Sequence, residues 1–306
     1  MTPEPPISSR PVVVTGANGL VGSRVVAALH ERGAAVRAVV RRAGTAPTAG
    51  GVEEVVGDFT DPGFAAEVVA GSRAVVTTVH PMHEDESRQR EVGLDGTMTL
   101  ASAAVGAGVD RLVHVSTAAV YDRSPGVGDV DEDAPLVADD AGVYAVVKRD
   151  VDLALAALDG TTRVLVRPPA ILGEGPSSVW NSLRPAEVRD DEDARHAVAE
   201  QTFAWVHVDD LAALVADVAT GAVPTSEDPE RGPVEGGCTP VNVGGGPATH
   251  RDYLGTVTSA LGVEATWDDG PVWTGRLVAD RARRWGWEPR VDLGQALGEL
   301  EAGLGG

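Results

Sequence analysis

The sequence is poor in the features that mark extracellular or membrane proteins. It has one cysteine, Cys238, and therefore no internal disulfide framework, which makes a reducing, cytoplasmic location our expectation. No apolar run reaches the roughly 18 residues that a membrane-spanning helix needs. The first ten residues are not followed by the apolar segment of a signal peptide. We therefore expect no membrane partner.

Positive charge is scarce as well. The chain has 25 Lys and Arg against 46 Asp and Glu, which gives a net charge of −21. Such a surface repels nucleic acid phosphates, so we expect no nucleic acid partner. An anionic ligand must then be held by a few local arginines and by backbone NH groups.

What the sequence does contain is a regular alternation of short β-branched runs and longer helical stretches rich in Ala, Leu and Val. The strand-like runs are 11–15, 34–40, 52–56, 72–79, 110–117 and 162–168, and the helical stretches are about 20–32, 88–107, 142–158, 248–262 and 278–304. Buried strands interleaved with helices predict an α/β fold with a Rossmann-type, doubly wound parallel sheet. Polar, Gly/Pro-rich loops are predicted at 122–142, 174–200 and 224–239.

The domain organisation follows from this alternation. We predict a disordered tail at 1–10 and a dinucleotide-binding Rossmann domain at 11–173, to which 204–245 return. A smaller, C-terminal substrate-binding region would consist of 174–203 and 246–306.

A glycine-rich turn joins the first strand to the first helix. The segment VVVTGANGLVGSRVV places Gly16, Gly19 and Gly22 at that junction. Glycines there permit a tight turn and a close backbone approach, so that NH groups and the helix N-terminus can meet a pyrophosphate. The sequence therefore predicts a dinucleotide site.

Two arginines follow the second strand. Where an NAD-preferring fold usually has an acidic residue for the ribose hydroxyls, this chain has Arg41 and Arg42. A guanidinium suits a 2′-phosphate, which favours NADP and leaves NAD possible. Two solvated surface arginines are the alternative. Asp58, after the third strand, is positioned to accept a hydrogen bond from an adenine amino group.

Lysine occurs once, at position 148, and follows Tyr144 by four residues. That spacing brings two side chains to one face of a helix. A phenol has an ordinary pKa near 10, and a neighbouring ammonium, together with the positive charge of an oxidised nicotinamide, favours the phenolate and lowers this value. We interpret the two residues as an acid/base pair; an exposed helical pair without function is the alternative.

Several motifs, in order, resemble those of a known family. They are TGANGLVG, GDFTD, VHVSTAAVYD, YAVVK, VRPPAILGEG, FAWVHVDDLA, VNVGGG and DRARRWGWEP, between about residues 11 and 300. The chain resembles the extended short-chain dehydrogenases/reductases, the NAD-dependent epimerase/dehydratase group. The resemblance implies hydride transfer between a nicotinamide and a small-molecule carbonyl, alcohol or sugar.

The resemblance also implies roles for residues. Thr117, with Ser116 before it, would steady the reacting carbonyl, while Tyr144 moves the proton and Lys148 assists it. The implied cofactor-binding residues are Gly16, Asn18, Gly19, Leu20, Val21, Gly22, Arg41, Asp58, Phe59, Val79, Tyr144, Lys148, Pro168 and Ile171. Tyr121 and His80 would line the same region, and we interpret them as packing or cofactor-loop residues.

Departures from the family pattern bear on the substrate. Dehydratases have an Asp-Glu pair after the threonine, where this chain has Ala118 and Ala119. Nucleotide-sugar epimerases tend to have an asparagine and an arginine at the positions of Ala170 and Phe203, and a buried diphosphate left unpaired is costly. Three arginines of the 174–200 segment could replace those contacts: Arg184, Arg189 and Arg195.

Three hypotheses about function remain. The first is an NADP-dependent oxidoreductase, the second a sugar or nucleotide-sugar epimerase with tightly held NAD, and the third a non-catalytic NADP-binding sensor. The histidines and carboxylates of HPMHEDE, at 80–86, have no second ligand set, so we expect no metal site. A homodimer is implied by the resemblance, through the helices at about 88–107 and 142–158.

Overall fold

A computed structural model describes residues 10–79, 81 and 84–305 of the chain, so residues 1–9 of the predicted tail and His80 lie outside the described residues. The strands are β1 (Val12–Thr15), β2 (Val36–Val40), β3 (Val52–Val56), β4 (Ala74–Thr77), β5 (Arg111–Val115), β6 (Thr162–Arg167), β7 (Ala170–Leu172), β8 (His196–Ala197), β9 (Trp205–His207), β10 (Cys238–Asn242) and β11 (Thr266–Trp267). The helices are α1 (Leu20–Glu31), α2 (Pro62–Val69), α3 (Glu86–Gln89), α4 (Thr97–Gly106), α5 (Val143–Ala157), α6 (Arg184–Asp190), α7 (Val208–Thr220), α8 (His250–Leu261), α9 (Asp280–Arg284) and α10 (Leu293–Leu304). A π-helical turn, Arg90–Gly96, joins α3 to α4.

Seven strands form the central sheet in the order β3-β2-β1-β4-β5-β6-β10. Every neighbouring pair in this sheet is parallel. The chain reverses its direction of travel across the sheet between β1 and β4, and in open α/β sheets ligands bind at such a switch point. The predicted doubly wound, Rossmann-type fold is confirmed.

Valine-rich strands account for the two layers of helices. Alternate residues of a strand point to opposite faces of the sheet. Val12 and Val14 pack in one core cluster with residues of α1 and α7, whereas Val13 packs in the other with residues of α4 and α5. All three valines are fully buried. Burial on both faces explains why these strands read as continuous apolar runs.

A third cluster joins the C-terminal helices to β7 and β9. It contains Val188 of α6, Tyr253 of α8 and Leu300 of α10, together with Leu172 and Trp205. Because the last two lie outside the predicted substrate-binding region, the division of the chain into two domains stays a proposal.

Two sequence predictions are wrong in detail. The predicted loop at 174–200 contains a π-helical turn, Val179–Leu183, which leads directly into α6, and Val188 of α6 is buried. The predicted helical segment at 278–304 is divided into α9 and α10. None of the helices in the described residues is long and apolar enough to cross a membrane.

Candidate active site

A cleft of about 1330 Å³ opens at the carboxyl ends of the strands around the switch point. This volume exceeds the roughly 300–1,000 Å³ of a single drug-sized pocket, so it can hold a dinucleotide and a small substrate together. Residues of the turn after β1 line one half, and aromatic residues of the C-terminal segments line the other.

The glycine turn forms a cradle that side chains would fill. Gly16 has a φ of 66°, and a Cβ there would lie 2.8 Å from both Thr78 Oγ1 and Val79 Cγ2. A Cβ on Gly22 would collide with the Gly16 carbonyl, which accepts the NH of Gly19 at 2.9 Å. Gly19 caps α1 without a side-chain hydrogen bond, so the first NH groups of the helix can meet an anion. These features fit a dinucleotide pyrophosphate.

Arg41 and Arg42 are exposed and line the edge of this half. Neither guanidinium has an ion pair or a hydrogen bond with the described part of the chain. The loop that follows them is held by Glu54, which accepts the NH groups of Gly44, Thr45 and Ala46 at 2.8–3.0 Å. These hydrogen bonds lower the pKa of Glu54. The loop is therefore anchored while its arginines stay available to an anion.

The carboxylate of Asp58 also faces this half of the cleft. One of its oxygens accepts the NH and the hydroxyl of Thr60, at 3.0 and 2.7 Å. These bonds lower the pKa of Asp58, with smaller contributions from Arg88 and Arg41. The residue is ionised and has a second oxygen left to accept a hydrogen bond.

The structure brings together all but one of the residues implied for cofactor binding. Those that line the cleft are Gly16, Asn18, Gly19, Leu20, Val21, Gly22, Arg41, Asp58, Phe59, Val79, Tyr144, Lys148 and Ile171. Pro168 does not line it: its carbonyl accepts the NH of Ala118 at 2.8 Å, and Pro169 takes its place in the wall.

Thr117, Tyr144 and Lys148 meet at the centre of the cleft. Tyr144 lies in the first turn of α5, and its phenol is hydrogen-bonded to the Thr117 hydroxyl. That hydroxyl also accepts the NH of Ala119 at 3.1 Å, which fixes its position. Lys148, one turn further along α5, donates to the carbonyl of Val115 at 2.9 Å.

Burial dominates the protonation of this pair. It lowers the pKa of Lys148 to about 8, against a raising effect of Asp152. Burial also raises the pKa of Tyr144, and the hydrogen bond from Thr117 offsets only part of this. In the chain by itself desolvation therefore governs the pKa of Tyr144, and the lowering expected from the ammonium together with an oxidised nicotinamide stays a prediction. The phenol is protonated at neutral pH.

A buried polar chain behind Lys148 was not found from the sequence. Asp152, one turn after the lysine, accepts from Arg167 Nε at 2.9 Å. Arg167 donates to the Tyr121 hydroxyl at 2.7 Å, which in turn donates to Asn242 Oδ1 at 2.8 Å. Tyr121 is 1% exposed and does not line the cleft, so its interpretation as a packing or cofactor-loop residue stays a prediction. Asp152 could have been found by its i+4 spacing from the lysine.

The other half of the cleft is aromatic. Trp180, Phe203 and Trp273 line it with His250, and Phe203 stacks on Tyr253 with ring centroids 4.4 Å apart. The ring of Trp180 meets Phe203 edge-on at 5.2 Å. Such a wall suits a flat, apolar substrate.

Among the described residues, no group of three or more His, Cys, Asp and Glu side chains could hold a metal ion. His80 and His83 of the HPMHEDE segment lie outside those residues.

The strand order and the position of the cleft define a Rossmann-type α/β protein. A profile of the NAD dependent epimerase/dehydratase family matches residues 12–227. The chain therefore belongs to this family and is an enzyme of the extended short-chain dehydrogenase/reductase type.

The names of individual relatives specify different substrates. The 3β-hydroxysteroid dehydrogenase/Δ5→4-isomerase of Mycobacterium tuberculosis is 31% identical over 184 residues, which are 56% of this chain and 50% of the relative, so the match spans half the relative's length. The 3-diazoavenalumate denitrifying reductase of a Streptomyces species is 32% identical over 71% of this chain and 76% of that protein. Among solved structures, dTDP-glucose 4,6-dehydratase of Streptomyces venezuelae with NAD bound is 25% identical, with a TM-score of 0.74 and coverage of 95% and 96%.

Proposed function

We propose that this protein is an NADP-dependent carbonyl reductase, acting reversibly on a small carbonyl or alcohol. The observation that carries the proposal is the Tyr144 phenol, hydrogen-bonded to Thr117 beside Lys148 in a cleft that also contains a glycine cradle. A protonated phenol is the form that can donate to a carbonyl oxygen. Dehydrogenase and reductase relatives support the same reaction class.

The mechanism assigns each residue one task. The glycine turn would hold the pyrophosphate of the dinucleotide. When bound, the nicotinamide of this cofactor supplies the hydride. Thr117 would hydrogen-bond the carbonyl oxygen and orient it toward Tyr144. Tyr144 would donate its proton to that oxygen as the carbon is reduced, and in the reverse direction its phenolate would accept the alcohol proton. The Lys148 ammonium would stabilise the phenolate left after proton donation.

The preference for NADP rests on Arg41 and Arg42. Both guanidinium groups border the cleft, and neither binds a carboxylate of the described residues. A 2′-phosphate would give them an anionic partner, whereas the 2′-hydroxyl of NAD would not.

An epimerase acting on nucleotide sugars is less well supported. Ala170 and Phe203 both line the cleft, so the positions of two expected diphosphate contacts are apolar. Arg184 binds Glu187 and Arg189 binds Asp190, while Arg195 donates to backbone carbonyls of α6. None of the three borders the cleft, which removes the suggested replacements.

The first test is to denature the purified protein and identify the released dinucleotide by mass spectrometry. We expect little bound cofactor, or NADP. The second test follows NADPH oxidation with a panel of aromatic and aliphatic aldehydes and ketones, with Tyr144→Phe as the inactive control. About one NAD per chain would favour the epimerase. Turnover that survives in Tyr144→Phe would overturn the reductase mechanism.

We also propose a cytoplasmic homodimer that binds no nucleic acid. Two of the exposed large apolar side chains, Val143 and Leu153, lie on α5, the helix expected to pair between subunits. A monomer mass in sedimentation at all concentrations would contradict the dimer. Changing Leu153→Arg should dissociate it.

A further inference from the structure

An arginine of the substrate half has no use in the reaction described above. Arg123 follows Tyr121 in the loop after β5 and lines the cleft. Its guanidinium carbon lies 5.5 Å from the ring centroid of Trp273. Within the residues that the structure describes, it forms no ion pair and no hydrogen bond.

This lack of an acceptor sets Arg123 apart from the buried arginines of the core. Arg167 binds Asp152, Arg281 binds Glu230, and Arg163 donates to backbone carbonyls. Burial lowers the pKa of Arg123, yet a guanidinium stays protonated in proteins. A half-buried cation without an acceptor loses hydration without compensation unless a ligand supplies the missing anion.

No carboxylate of the described residues in the aromatic half of the cleft can act as a counter-ion for Arg123, so a ligand would have to supply it. Trp273, under the guanidinium, is anchored by its indole NH to the carbonyl of Gly128 at 2.9 Å. Among the described residues that line the cleft, the acids are Asp58 and Glu84, and both interact with Arg88 in the cofactor half. The aromatic half therefore offers one fixed positive charge and no carboxylate, in a chain of net charge −21.

We propose that the substrate carries an anionic group, a carboxylate or a phosphate, and that Arg123 binds this group. The flat apolar body of the substrate would pack on the aromatic wall. This inference rests on the proposed function and names the class of its substrate. The planar fork of an arginine forms two parallel hydrogen bonds with either anion, and these bonds are strong where water is excluded. Trp273 would hold the fork in place by its cation–π contact.

The experiment measures binding rather than turnover. Benzoate, phenyl phosphate and neutral benzamide are titrated calorimetrically into the full-length protein, with and without NADPH. We expect one of the anions to bind at least about tenfold more tightly than benzamide, as a charge-assisted pair requires. Arg123→Gln should abolish this preference and keep the dissociation constant of NADPH.

Arg73→Gln is the matched control, since Arg73 is also half-buried and lies outside the cleft, immediately before β4. It should keep the anion preference. Equal or absent binding of all three probes, or a preference that survives in Arg123→Gln, would overturn the inference. Arg123 would then serve only to pack on the ring of Trp273. Anion preference without hydride transfer would instead overturn the proposed reductase. The stronger of the two anions identifies the group on the substrate.

Discussion

Asp152 and Arg167 form an ion pair of 2.9 Å in which both side chains are almost wholly buried, at 1% and 6% exposure. Asp152 lies one helical turn after Lys148 on α5, whereas Arg167 ends β6, and the Asp152 carboxylate acts to raise the pKa of that lysine. Arg167 also binds Tyr121, so the pair connects the candidate catalytic lysine to the core. Protonation at the site and stability of the fold should therefore change together.

Changing Asp152→Asn should destabilise the protein. The change leaves Arg167 buried without its counter-ion, which in general costs about 3–5 kcal/mol of unfolding free energy. Urea unfolding at pH 7 measures the loss. Asp139→Asn is the control, because this carboxylate is 93% exposed and pairs with Arg149 at the surface. Equal stabilities of the two variants would contradict a structural role for the buried pair.

The rate of carbonyl reduction should fall above about pH 8. Burial lowers the pKa of Lys148 from 10.5 to about 8, so the ammonium is present below this value and lost above it. The measurement is kcat/KM against pH at saturating NADPH. In Asp152→Asn the fall should begin at a lower pH, because the group that raises the lysine's pKa is gone. A wild-type profile that stays level to pH 10 would refute the assignment.

The same titration has the opposite effect on stability. Between about pH 8 and 10.5 an unfolded chain still holds the proton that the folded chain has released from Lys148. Because the unfolded state then binds more protons, the contribution of this residue to the free energy of unfolding rises with pH across that window. Deprotonation of Lys148 therefore does not destabilise the fold above pH 8, and we do not expect it to reduce activity by unfolding the protein.

The fold could largely be predicted from the sequence, because its strands are buried on both faces. The run at 52–56 matches β3 residue for residue, and the predicted helix at 142–158 differs from α5 by one residue at each end. Prediction failed at α6, where a polar, Pro-containing sequence forms a helix whose Val188 packs against the C-terminal helices. Such tertiary support is not visible in local composition.

The candidate site, like the fold, contains features that the sequence predicts and others that it does not. Tyr144 and Lys148 could be predicted, since they are neighbours on one helix. Arg167 meets Asp152 from β6, and Trp273 meets Arg123 from 150 residues away, so neither contact has a local signal. The protonation of Tyr144 could not be predicted either, because it depends on how deeply the folded chain buries the phenol.

Changing Lys148→Arg should reduce kcat by at least about 100-fold, the usual contribution of an acid/base group. The lysine is 3% exposed and its ammonium donates to Val115, so a larger, forked guanidinium does not fit the same space. Stopped-flow kinetics with NADPH in excess separates this loss from weaker cofactor binding. Full activity in the arginine variant would refute the need for an ammonium.

Replacing Arg41 and Arg42 by Gln should reduce the preference for NADPH over NADH at least about tenfold, because the 2′-phosphate loses its charged donors. The ratio of the two dissociation constants, from fluorescence titration, measures the effect. Arg283→Gln, an exposed arginine paired with Asp280, should leave the ratio unchanged. If the double variant keeps the wild-type ratio, the two arginines are solvated surface residues.

Changing Gly22→Ala tests the glycine cradle, because the new methyl group would collide with the Gly16 carbonyl. To relieve the collision, α1 must move away from the turn that would hold the pyrophosphate, which should weaken NADPH binding strongly and cost about 1–3 kcal/mol of unfolding free energy. Gly298→Ala is the matched control, since it lies in the exposed interior of α10 with no atom within 4 Å of the added Cβ. That change should stabilise the protein by about 0.5–1 kcal/mol and leave NADPH binding intact. NADPH bound equally well by both variants would mean that the ligand does not approach the backbone at Gly16 and Gly22, and that the glycines serve only to pack the first helix against the first strand.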